Sequence, residues 1–150
     1  MSRSRQRVEI LRQISGIRAI SARLAEAKCV AANQEIVIAH DKHKKQQDHL
    51  QDAIGGWQGA ISAAHFDPES SIFWGHAINQ AVLNVELAGS DVNRCNANLG
   101  HAERHLAGMI ANEGCAETLL AKARKKHFND VENRHLAEQA DQITRSEMRR

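Results

Sequence analysis

Apolar residues recur every seven positions through both halves of this chain, and that repeat limits it to paired helices. Counting from Ile10 gives Ile10, Ile17, Leu24, Ala31 and Ile38, with Ile14 beside the row and Arg, Lys and Gln between. A row kept at one heptad position is the mark of a helix with a coiled-coil seam. The row weakens at Lys45 and resumes as Leu50, Ile54 and Trp57. In the second half Ile78, Val85, Val92, Leu99 and Leu106 repeat at seven; Glu113 interrupts and Leu120 restores the row. Val82, Cys95, Ala102, Met109, Ala116 and Ala123 supply the second seam position, and the pattern runs on to Phe128, Val131, Leu136 and Ile143.

Between the halves lies a breaker. Gly55, Gly56 and Gly59 fall within five residues, and each glycine costs a helix about 1 kcal/mol against alanine, so the first helix is expected to end there. Asp67-Pro68-Glu69 reads as a helix start. Asp67 can accept from free N–H groups, Pro68 suits the first helical position, and Glu69 faces the positive end of the dipole. The expected layout is one domain over residues 1–150, with a helix over about 4–55, a break over about 56–67 and a helix over about 68–147. Gly89, Gly100, Gly108 and Gly114 make the second helix locally weak.

Composition supports a narrow seam over a thick core. Aromatics are 3% of the 150 residues, with one proline and no tyrosine. A two-helix seam needs only two or three buried positions in seven. The fold class is therefore all-α: an elongated antiparallel two-helix coiled-coil hairpin. At 1.5 Å per residue the first helix is about 75 Å long and the second about 120 Å. The first then covers the second to about residue 118, and residues 119–147 overhang. An apolar stripe without an internal partner implies an external one or a frayed end.

Chemistry finds little footing. His101 and His105 share a helix face, as do His40 and His43, but His101-Ala102-Glu103-Arg104-His105 lacks the H-E-x-x-H order and His43 stands among Lys42, Lys44 and Lys45. Solvated helix surface is the expectation for all four. No nucleophile elbow, P-loop or dinucleotide fingerprint occurs, so no catalytic, cofactor-binding or metal-binding residue is assigned and no small-molecule substrate is expected. Cys29, Cys95 and Cys115 are odd in number and isolated, which fits free thiols in a reducing compartment. No run of about 18 apolar residues can span a membrane. The arginine- and serine-rich start (Arg3, Arg5, Arg7, Arg12, Arg18, Arg23) also resembles an amphipathic transit peptide, yet its apolar spacing continues past residue 30 without a cleavage-like break.

Net charge is +2, which demands neither nucleic acid nor membrane. The basic clusters are Arg3-Arg5-Arg7, Lys42 with Lys44-Lys45, Lys122 with Arg124-Lys125-Lys126, and Arg149-Arg150. No aromatics are interleaved for base stacking, so solvated faces are the first reading of each. In the hairpin, Arg3–Arg7 and Lys122–Lys126 come together as a basic collar at the open end.

The whole layout resembles the FliJ proteins of the flagellar type III export apparatus and their injectisome stalk counterparts. The shared pattern is a basic amphipathic first helix, a central break and a longer second helix. Just after the break an aromatic is followed by apolar residues at helical spacing, here Phe73 and Trp74, then Ile78, Ala81 or Val82, and Val85. Asp141-Gln142-Ile143-Thr144 sits where the family often carries Asp-Glu-x-Ala, with Gln142 departing from the usual acid. The resemblance implies a cytoplasmic stalk, peripheral to the inner membrane at the flagellar base. Its implied partners are a hexameric export ATPase, the export gate membrane protein and export chaperones. It assigns gate contact to Trp74, Ile78, Ala81 and Val85, and ATPase contact to the overhang, with Leu120, Arg124, Phe128, Val131, Leu136 and Ile143. Two other readings stand beside it: a coiled-coil scaffold that homodimerises through the overhang, and a helical nucleic-acid-binding protein using the basic clusters.

Overall fold

The computed structural model describes residues 3–148, and the Arg149-Arg150 cluster lies outside them. Among the described residues there is no strand. Two long helices in contact make up the protein: α1 (Arg3–Ser62, 60 residues) and α2 (Pro68–Glu147, 80 residues). Contacts group the chain into two compact units, one of residues up to Glu26 with those from His105 onward, the other of Ala27–Arg104.

α2 starts where its capping residues require. The Glu69 N–H donates to Asp67 Oδ1 at 3.1 Å, and the Ser70 hydroxyl donates to Asp67 Oδ2 at 2.7 Å. The Ser71 N–H then donates to the Asp67 carbonyl at 3.2 Å, closing the first turn. Asp67 thus satisfies donors that the first helical turn leaves without partners.

In the unit of Ala27–Arg104 the helices pair antiparallel. Ile36 and Ala39 of α1 pack with Val92 and Cys95 of α2. Further along α1, the backbone of Gly89 lies beside the His43 ring, and that of Gly56 lies under the Trp74 indole. The α2 side of this seam is the one read from the sequence: Val92 and Cys95 are buried and Ile78, Val85 and Leu99 half-buried. One position differs. Ala81 and Ala88 are buried, whereas Val82 is exposed, so the smaller residue holds the seam.

The α1 side departs from the expected row. Ala31 and Ile38 are exposed, together with Val30 and Val37, and the seam runs instead through Cys29, Ala32, Ile36, Ala39, His43, Gln46, Leu50 and Ala53. Lys45 stands outside it, paired to Asp41 at 2.8 Å. The glycines do not end α1, which continues through them to Ser62. At Gly56 the missing side chain admits the half-buried indole: a Cβ there would come within 2.7 Å of three of its ring carbons. The packing offsets part of the propensity cost that predicts a break.

The other unit repeats the substitution of small for large. Ala22 and Ala25 are buried and Val8, Leu11, Ser15 and Ala19 half-buried, facing a seam that includes the buried Ala116 and Leu120 of α2. Ile10, Ile17 and Leu24, the expected seam, are 57%, 63% and 61% exposed. Facing a small residue with a large one fills a narrow interhelical space without strain. The buried Ala22 and Ala25 take the small side of such a space on α1; a row of isoleucines there would overfill it. Beyond Asp130, every described residue to Met148 is exposed.

Candidate functional site

A fold with so thin a seam offers surfaces for function more readily than an enclosed cavity. In the unit containing both chain ends, the first turns of α1 meet α2 through a hydrogen bond between Ser4 Oγ and His127 Nδ1 at 2.9 Å. Beside it lies an open groove of about 630 Å³. Arg3 and Arg7 line one wall and Lys122 and Lys126 the other; Leu119 and Ala123 form an apolar floor, and Asp130 adds a carboxylate. The four cations stand at i and i+4 on their helices, so each pair shares a face. This joins the two basic clusters that the sequence suggested would meet. Arg5, Arg124 and Lys125 are not among the residues lining it. Four cations and one carboxylate over an apolar floor suit an anionic, partly apolar partner.

The residues assigned by resemblance fall into two groups. Ala81 and Leu120 are buried, and Trp74, Ile78 and Val85 half-buried, all engaged with α1 or turned toward it. Trp74 also meets the exposed Phe73 edge to face, with ring centroids 5.4 Å apart and planes at 76°. Arg124, Phe128, Val131, Leu136 and Ile143 are exposed. Phe128, Val131 and His135 line one shallow groove there.

Sequence reasoning does not place two sets of residues outward. Ile72, Phe73, Leu83 and Leu87 are exposed on α2 just past the break. Leu83 and Leu87 stand four apart, off the Ile78–Val85–Val92 row, and that offset was the available signal. The second set is the aliphatic face of α1, whose heptad spacing predicts a seam but which the structure leaves exposed.

Titration adds little to these surfaces. The Asp67 carboxyl is held below its ordinary pKa by the Ser70 hydroxyl and then by the Glu69 N–H, which stabilise the charged form. Lys45 is raised by its hydrogen bond to Asp41 and by that group's charge. Among the described residues no three His, Cys, Asp or Glu side chains are placed to hold a metal ion, and no helix is long and apolar enough to cross a membrane. Cys29, Cys95 and Cys115 are all free. No family model, curated protein or solved structure matches the chain.

Proposed function

We propose that this protein is a non-enzymatic stalk and adaptor of type III protein export, an antiparallel coiled-coil hairpin whose longer second helix projects beyond the first. The observation that carries the reading is the uninterrupted exposure of the chain from Val131 through the end of α2 to Met148, with Val131, Leu136 and Ile143 along it. A helix that keeps large aliphatic residues in solvent over several turns is built to bury them elsewhere. The projecting part starts near residue 131, later than the 119 expected from helix lengths, because Leu120 lies in the seam.

In this reading Phe128, Val131, Leu136 and Ile143 enter the hexameric export ATPase, and the cationic groove beside them meets acidic groups at its rim. Ile78, Ala81 and Val85 are turned toward α1, so gate contact falls to the outward residues of the same turns, Phe73, Leu83 and Leu87, with Trp74 at their edge. Chaperone binding rests on the resemblance alone. The groove also favours a second reading, phosphate binding to nucleic acid. Four neutralised phosphates would give a salt slope of about −3 to −4.

The test is co-purification with the export ATPase from the same cell while following ring assembly and ATP hydrolysis. Wild type is expected to bind and to raise assembly or turnover. Val131→Glu with Leu136→Glu is expected to abolish both without altering helix content. Absence of ATPase binding at low and moderate salt alike would remove the stalk reading.

A further inference from the structure

Between Arg3 and Ala25, α1 carries two apolar faces of different kinds. One is the seam with Ala22 and Ala25. The other bears Ile10, Ile17, Ile20 and Leu24, between 57% and 63% exposed, with Ile14 at its edge at 40%. At about 100° per residue, Ile20 and Leu24 each point about 160° away from Ala22, so this face is turned from α2. Charge follows the same segment. Arg3, Arg5, Arg7, Arg12, Arg18 and Arg23 stand against the single acid Glu9, giving +5 over residues 3–25.

We infer that this face of α1 is a docking strip for an acidic amphipathic helix of another protein, which completes a three-helix seam. Charge decides among the occupants. A second copy would set +5 against +5 and is disfavoured. An occupant with acidic flanks meets Arg7 on one side of the row and Arg23 on the other, about 60° from Ile10 and about 100° from Leu24, and arginine forms bidentate pairs with carboxylates. Spacing separates helix from lipid. Ile10, Ile17 and Leu24 hold a strict interval of seven, which keeps a straight row for a facing helix. Residues 3–25 hold no aromatic, the residue type that commonly anchors helices at a bilayer interface. The strip stands on exposure, spacing and charge, independently of the export reading.

The probe is a synthetic peptide of about four heptads with Leu at both seam positions and Glu on the flanks. Its fluorescence anisotropy is read against the full-length protein, beside a matched peptide with Lys flanks and phosphatidylglycerol vesicles. The Glu peptide is expected to bind and the Lys peptide not to. Ile17→Ser with Leu24→Ser, and separately Arg7→Glu with Arg23→Glu, are each expected to weaken binding at least tenfold at unchanged helix content. No binding of the Glu peptide, or binding that both double variants leave intact, would overturn the inference. So would vesicle binding in its place that the same variants abolish, or a concentration-dependent dimer in sedimentation that Ile17→Ser with Leu24→Ser removes.

Discussion

Replacing Gly56 by alanine separates two accounts of the glycine cluster. If the cluster only weakens α1, each alanine should stabilise the helix by about 1 kcal/mol. Gly55 and Gly59 fit that case, since a Cβ at either meets nothing within 4 Å. Gly56 does not. Its Cβ would lie 2.7 Å from Cε2, Cζ2 and Cη2 of Trp74, so the indole must move. That ring is half-buried and rests on Phe73, so the shift carries an overpacking cost of about 1–3 kcal/mol. Net of the propensity gain, Gly56→Ala is expected to lie between neutral and about 2 kcal/mol destabilising, while Gly55→Ala gains about 1. For a chain of this size each kcal/mol moves Tm by about 2–4 °C. Thermal and urea unfolding followed by circular dichroism measure both variants, and a Trp74→Leu background should erase the difference between them. Stabilisation of Gly56→Ala equal to that of Gly55→Ala would refute the packing argument.

Other expectations concern the seam and the start of α2. Leu120→Ala should cost about 2–4 kcal/mol as a buried leucine, while Leu119→Ala, at a side chain 51% exposed, should cost well under 1 kcal/mol; denaturant titration compares them. Asp67 has a depressed folded pKa, so its cap contributes stability that is present above its unfolded pKa and lost as pH falls through the lower folded value. Acid titration of thermal stability should therefore show a loss at the low-pH end that Asp67→Asn diminishes.

How much could be read in advance depended on where the large residues stand. On α2 the heptad row of large residues occupies the seam, so Ile78, Val85, Val92, Leu99, Leu106 and Leu120 name it from spacing alone. On α1 the longest apolar row points outward, and a rule that places the largest residues inside selects the wrong face. Ala22, Ala25, Ala32 and Ala39 give no size signal, although Val8, Ser15, Ala22, Cys29 and Ile36 do repeat at seven. Val82 over Ala81 is the same error on a smaller scale. Propensity alone puts the break early, because it sees three glycines and cannot see an indole arriving from residue 74. Those two further turns of α1, to Ser62, account for the later start of the exposed end of α2. The basic groove was legible because it needs only antiparallel pairing; its Ser4–His127 bond and Asp130 wall depend on register, which periodicity leaves open.

The account turns on α1 presenting its small residues to α2 and its aliphatic residues to the outside. Thiol accessibility measures this most directly. In a background with Cys29, Cys95 and Cys115 replaced by alanine, Ile17→Cys and Ala22→Cys are each treated with a maleimide under native conditions. The exposed position 17 should react at close to its unfolded rate, and the buried position 22 at least about tenfold more slowly, because it must wait for local opening. Equal rates, or faster reaction at 22 than at 17, would contradict the assignment of faces and remove the docking strip with it.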